Sequence, residues 1–188
     1  MDSQTDALRT IVSTFERLDI PYVVCGSLAS SIHGLFRATA DIDIVVDLRQ
    51  QHVMPLVWDL GQEFLVDAEA LEEAIRERRG INLIHLDTGE KVDLFPASAG
   101  VFTRKELERG EVATLRSGGG EVRMRVISAE DTILSKLVWY RKGGEVSERQ
   151  WNDVRGVMEV SGRRLDRKYL LEWGDALGVG DLLARVLE

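Results

Sequence analysis

One cysteine, three prolines and no long apolar run set the first limits on this chain of 188 residues. With Cys25 alone, no intrachain disulfide can form and no cysteine-built zinc site is available. No stretch stays apolar long enough to span a bilayer. The opening MDSQTDALRT is polar and acidic, unlike a signal peptide. These absences point to a reducing cytoplasm and away from a membrane. Excess positive charge is missing as well: Lys plus Arg is 24 against 32 for Asp plus Glu, a net charge of −8. A general electrostatic grip on nucleic acid is thereby disfavoured, while a local basic patch stays open. There is no internal repeat and no low-complexity segment. What is there, 44% hydrophobic and 30% charged residues, is the composition of a globular protein. A chain of this length buries enough surface to fold without a disulfide or a structural metal.

Hydrophobic spacing divides the chain into elements. Leu8, Ile11, Val12 and Phe15 follow the i, i+3, i+4, i+7 rule and predict an amphipathic helix, with Asp2 or Ser3 as its cap. Tyr22-Val23-Val24-Cys25 reads as a short buried strand. Gly26-Ser27 then opens a short helix over Leu28 to His33, closed by Gly34. Asp41-Ile42-Asp43-Ile44-Val45-Val46-Asp47 alternates as a strand does. A helix from Gln50 to Leu60, a short strand at Phe64-Leu65-Val66 and a helix from Glu69 to Arg79 follow. Ile81 to Leu86 and Lys91 to Phe95 form a hairpin around Asp87-Thr88-Gly89-Glu90. A second hairpin pairs strands near 111–115 and 122–127 around Ser117-Gly118-Gly119-Gly120.

From Ser128 onward the pattern is helical only. One stripe is Ile133, Leu134, Leu137 and Val138, and another is Trp151, Val154, Val157 and Met158. The tail from Leu165 to Leu187 fits one or two short helices, and Gly143-Gly144 is the candidate hinge. The expected architecture is an α/β or α+β body over residues 1–127 and a helical C-terminal part over 128–188.

The chemistry concentrates at Asp41-Ile42-Asp43. Side chains alternate along a strand, so these two carboxylates share one face while Ile42, Ile44 and Val46 face the core. Their backbone positions lie about 6.5–7 Å apart. Two ionised carboxylates on one face repel, and a hard divalent cation such as Mg²⁺ removes that repulsion. Asp47 has the same parity but stands about 13 Å beyond Asp43 along the strand, outside any shared site. Asp93, flanked by Val92 and Leu94, repeats the pattern on its own strand. If the two strands are neighbours, three carboxylates share one surface, as a two-metal phosphoryl-transfer site requires. Gly26-Ser27, between a buried strand and a helix start, adds an anion-binding corner suited to a phosphate chain.

Gly26-Ser27, then Asp41-x-Asp43, then an isolated hydrophobic–Asp93–hydrophobic strand resembles the DNA polymerase β-like nucleotidyltransferases. The run Arg37-Ala38-Thr39-Ala40-Asp41-Ile42-Asp43 is similar to bacterial minimal nucleotidyltransferases, including toxins of type IV toxin–antitoxin pairs. The resemblance covers roughly residues 20–140 and implies a mixed sheet flanked by helices. It also implies transfer of a nucleoside monophosphate from an NTP to an acceptor hydroxyl, with release of pyrophosphate. On that resemblance Gly26 and Ser27 hold the β/γ-phosphates. Asp41, Asp43 and Asp93 hold two Mg²⁺ ions, and Asp93 helps deprotonate the acceptor. The helix around Lys136 also looks like one from such proteins, whose lysine reaches the triphosphate. Arg37 could act similarly on phosphate or acceptor. The acceptor is a tRNA end, a protein side chain or a small molecule, and an antitoxin is a possible partner. The alternative is a regulatory module on the same fold that binds nucleotide without transferring it.

Other features read more plainly. His33, His52 and His85 lack metal-ligand spacing and are expected at helix ends or on the surface. Gly118-Gly119-Gly120 is not followed by Lys-Ser or Lys-Thr and reads as a turn. Gly26-Ser27-Leu28-Ala29 lacks the Gly-x-Ser-x-Gly pattern of a nucleophile elbow. Cys25 reads as a buried strand residue. Arg163-Arg164-Leu165-Asp166-Arg167-Lys168 reads as a solvated face. Ser147 to Asp153 is familiar from the same bacterial proteins, but the sequence assigns it no chemical step.

Overall fold

A computed structural model describes residues 2–39, 41–97, 100–118 and 120–187. Its body is one mixed seven-stranded sheet in the order β3-β4-β5-β2-β1-β7-β6. The strands are β1 (Tyr22–Val24), β2 (Ile42–Val46), β3 (Phe64–Leu65), β4 (Ile81–His85), β5 (Lys91–Pro96), β6 (Glu111–Ser117) and β7 (Gly120–Val126). β2 runs parallel to β5, and β1 runs parallel to β7. The other neighbours, both hairpins among them, are antiparallel.

Helices α1 (Asp2–Arg17), α3 (Val53–Leu60) and α4 (Ala68–Glu77) pack together beside the sheet. The α1 stripe Leu8, Ile11, Val12 and Phe15 is buried there with Ile42, Ile44, Val92 and Leu94. The capping side chains proposed at Asp2 and Ser3, the tip of the second hairpin at Gly119 and Ala40 of the arginine run lie outside the described residues. The expected helix from Gln50 splits into a 3₁₀ turn at Gln50–His52 followed by α3, whose third residue is Pro55. A proline has no N–H to give and is tolerated in a first turn.

α2 (Gly26–His33), α5 (Val101–Arg109), α6 (Ala129–Lys142) and α7 (Glu148–Ser161) surround the site. α8 (Arg167–Ala176) and α9 (Gly180–Leu187) complete the C-terminal part. Ile133, Leu134, Leu137, Val154, Val157, Leu170, Leu182 and Leu183 form a second buried cluster there, separate from that of the sheet. Ser128 caps α6 by accepting a hydrogen bond from the Asp131 N–H, and Ser147 caps α7 through Gln150 N–H. The end of α2 lies close against α7: a Cβ on Gly34 would come within 2.6 Å of the Val157 backbone nitrogen. Ser161 closes the same contact by donating to the His33 carbonyl at 2.7 Å. This approach carries the first turns of α7 to the site.

α5 has no counterpart among the expected elements. Its sequence VFTRKELER has no continuous apolar stripe, and the one residue it buries fully is a glutamate. His85 also departs from expectation. It is buried, bonded to the Thr88 hydroxyl at 2.9 Å and edge-on to Phe64.

Candidate active site

The strand pattern decides where the acids stand. β2 buries Ile42, Ile44 and Val46 and turns Asp43 to the opposite face. β5 buries Val92 and Leu94 and turns Asp93 the same way. The two strands are adjacent and parallel, and Asp43 is the register partner of Asp93. The carboxylates therefore share one face of the sheet. Asp41, one residue before β2, is exposed.

Gly26 makes the close approach that Asp43 requires. It sits at φ +62, in the left-handed region, and a Cβ there would lie 1.9 Å from Asp43 Oδ2. The next N–H, that of Ser27 at the start of α2, donates to the Asp43 carboxylate. Burial pushes the Asp43 carboxyl above its usual pKa, with Asp93 and Asp41 adding like charge, while Lys136 and the Ser27 N–H pull the other way.

A group of cations faces these acids. Arg37 donates Nε and Nη2 to Asp153 at 2.7 and 2.9 Å. Lys136 Nζ donates to the same carboxylate at 2.8 Å. Asp153, on α7, is only 8% exposed. Burial opposes its ionisation, but the Arg37 and Lys136 hydrogen bonds hold its carboxyl below the usual range. The Ser27 hydroxyl accepts from Arg37 Nη2 at 2.5 Å and from Arg149 Nη2 at 3.2 Å. Arg149 also lies 3.8 Å from Asp41, and Lys91 pairs with Asp93 at 3.0 Å.

All six of Gly26, Ser27, Arg37, Asp41, Asp43 and Lys136 thus meet at one corner. The corner opens on a cavity of about 720 Å³ between the sheet and α5, α6 and α7. Asp93 stands beside Asp43, outside the cavity wall. Two residues of this corner, Arg149 and Asp153, were not singled out by the sequence reading. The only signal for them was the run Ser147 to Asp153, which carries no spacing that names a partner. Cys25 lines the cavity too, but burial pushes its thiol pKa up, away from the reactive thiolate.

A hard divalent cation fits the chemistry of the acids. The donors are all carboxylate oxygens, and the half-buried Asp43 is pressed between two like charges that a cation would relieve. Among the described residues no three acid, histidine or cysteine side chains converge into a closed cage of ligands. Lys91 and Arg149 supply the balancing charge instead.

No family model and no curated protein matches the sequence. Solved structures do match. The antibiotic-resistance factor ANT(2'')-Ia, solved in solution, is 17% identical, with a TM-score of 0.51 over 98% of this chain and 94% of its own. Its crystal structure in complex with adenylyl-2''-tobramycin gives 15% identity and a TM-score of 0.51, over 93% of this chain and 97% of its own. An antigenic nucleotidyltransferase-like protein from Paracoccidioides brasiliensis gives 14% identity and a TM-score of 0.54, over 98% and 92%. The fold is that of the nucleotidyltransferases. No helix among the described residues is long and apolar enough to cross a membrane.

Proposed function

We propose that the protein is a Mg²⁺-dependent nucleotidyltransferase that moves a nucleoside monophosphate from an NTP to an acceptor hydroxyl. The observation that carries this reading is the register pairing of Asp43 with Asp93 on parallel strands, beside a corner made by Gly26-Ser27 and ringed by Arg37, Lys136 and Arg149. Asp41, Asp43 and Asp93 would hold the metal, which when bound neutralises charge on the attacking and leaving oxygens. The chain's own residues do the remaining work. Lys136, Arg37 and Arg149 bind the β- and γ-phosphates and stabilise the departing pyrophosphate. Asp153 holds two of those cations at the corner. Asp93 accepts the proton of the acceptor hydroxyl as its oxygen bonds to the α-phosphorus and the bond to pyrophosphate breaks.

The acceptor belongs to one of three classes: a small molecule, a protein side chain or a tRNA 3′ end. A small molecule is favoured by ANT(2'')-Ia, which matches over nearly the whole chain and was solved with an adenylylated tobramycin. A toxin role, with its antitoxin partner, predicts a labelled tRNA or protein instead. Incubation with each α-labelled NTP, Mg²⁺ and total cell extract separates the three by the labelled product. The Asp41→Ala, Asp43→Ala double variant should transfer no label while its melting temperature stays similar or rises. Failure of the wild-type protein to bind any NTP in the presence of Mg²⁺ sinks the proposal.

A further inference from the structure

The cavity continues past the acids into a lobe that the transfer chemistry leaves unused. It runs along the sheet face past Val45 and Phe95 and passes beneath α5 and α6, where Phe102, Val138 and Trp139 line it. One acid intrudes on these apolar walls. Glu106, on α5, is 6% exposed and lines the lobe. Its Oε1 accepts a hydrogen bond from the Ser135 hydroxyl at 2.5 Å. Among the described residues the carboxyl has no other hydrogen bond and no cationic partner. A buried carboxyl held by one neutral donor costs stability, and burial pushes its pKa up to about 7. Packing alone would be better served by an apolar residue at this position.

Two observations identify the occupant. Ser135 and Lys136 are consecutive on α6, with Lys136 turned to the Gly26-Ser27 corner by Asp153 and Ser135 bonded to Glu106 in the lobe. A ligand with its phosphates at Lys136 therefore has its next group at the mouth of the lobe. The acceptor has a separate approach. Next to Asp93 the sheet face continues outward through Lys91, Asn82 and Ile84, all exposed. The lobe, walled by Phe102, Val138 and the more exposed Trp139, is left for the nucleoside.

We propose that Glu106 reads the nucleobase of the bound NTP: its second carboxylate oxygen accepts a hydrogen bond from an exocyclic amino group, with Ser135 fixing the carboxyl and the aromatic wall receiving the flat base. Adenine and cytosine carry an amino group where guanine and uracil carry a carbonyl oxygen. Above about pH 7, where the carboxyl is ionised, the site selects the first pair, because a carbonyl facing the carboxylate would set lone pairs against each other with no proton between them. This inference rests on the transferase reading above.

The test is equilibrium binding of ATP, GTP, CTP and UTP, each with Mg²⁺ and at a pH well above 7 so that the carboxyl is ionised, to the wild type, Glu106→Gln and Ser135→Ala. The wild type should hold ATP over GTP, or CTP over UTP, by about tenfold, the worth of one buried hydrogen bond. In Glu106→Gln the Ser135 hydroxyl still donates to the amide oxygen, which turns the NH₂ donor toward the lobe. The base ranking should then flatten or reverse. Ser135→Ala keeps the acid but frees its rotation, and should weaken the same preference by a smaller factor. Gln matches Glu in shape and carries no charge, and a melting curve confirms that the variant folds. An unchanged base ranking in Glu106→Gln overturns the assignment of Glu106 alone. A wild type that binds none of the four nucleotides overturns the transferase reading itself.

Discussion

On the sheet side of the cleft, backbone register holds Asp43 and Asp93 in place: two adjacent parallel strands turn both to one face, and no side-chain partner is needed to aim them. On the helical side the polar groups are aimed by other side chains. Arg37 and Lys136 share one carboxylate from α7, and Glu106 is held by a serine from α6. The first kind of placement is local in sequence and survives most substitutions nearby. The second depends on contacts between residues as far apart as Arg37 and Asp153, and one substitution can release two groups at once. The sheet side should therefore fail at the acids and at the glycine backbone that abuts them, and the helical side at the residues that hold its polar groups.

The largest expected effect lies on the sheet side. Asp43→Ala should lower the transfer rate by about a thousandfold or more. Its stability should hold or rise, because a half-buried charge flanked by Asp93 and Asp41 is gone. Rate and melting temperature measured on one preparation check both halves, and a large fall in stability would break the comparison. Gly26→Ala attacks the same pair from the backbone. Its Cβ would collide with the Asp43 carboxylate in a left-handed conformation, so about 2 kcal/mol or more of stability should go, along with most of the activity. Denaturant melts against a Gly144→Ala control, where φ is +76 and a Cβ would meet nothing within 4 Å, give the conformational share apart from the collision.

How much was legible in the sequence follows the same division. The Asp43–Asp93 pair was readable because strand parity is a property of consecutive residues, and Ile42, Ile44, Val92 and Leu94 announce the buried face. Gly26-Ser27 was readable because a glycine between a strand and a helix marks a close approach. Arg37 and Lys136 could be named as cations near the site, but not their shared partner. Asp153 reaches them only because α2 lies close against α7 at Gly34, and helical periodicity carries no record of which helix will lie opposite. α5 left no apolar stripe to find. Its buried residue, Glu106, has the sequence signature of a surface acid, and only the enclosing of the lobe makes it otherwise.

Glu106 sharpens the comparison through pH. Its carboxyl is raised from the ordinary value to about 7, first by burial and further by Asp131, against the Ser135 hydrogen bond. The folded protein therefore keeps a proton there that the unfolded chain gives up near pH 4.5. Stability from this group is greatest below the unfolded value and is lost as pH rises through about 7. The full loss corresponds to about 3 kcal/mol. Glu106→Gln does not titrate, so its stability advantage over the wild type should grow between pH 5 and pH 8. Urea melts at the two pH values read the difference, and a constant gap would show that the carboxyl is ionised across the whole range.

Asp153 gives the smallest effect of the set and the sharpest diagnosis. Asp153→Ala leaves Lys136 and Arg37 without the carboxylate that holds them, and their side chains are 12% and 28% exposed. Because both can swing toward water, the loss of stability should be about 2 kcal/mol, below the usual figure for breaking a fully buried pair. The Asp153 carboxyl is held below its usual range, so this contribution is present above the ordinary carboxylate pKa and fades as pH falls through the lowered one. The gap between wild type and variant should thus persist at neutral pH and close in strong acid. On the proposed reaction the KM for the NTP should rise about tenfold with a smaller change in kcat, since the cations would bind phosphate before the reaction as well as during it. A fall in kcat alone would mean that Asp153 acts on the departing pyrophosphate and not on the bound triphosphate. The proposed division between a sheet that does chemistry and helices that hold the substrate would then have to be redrawn.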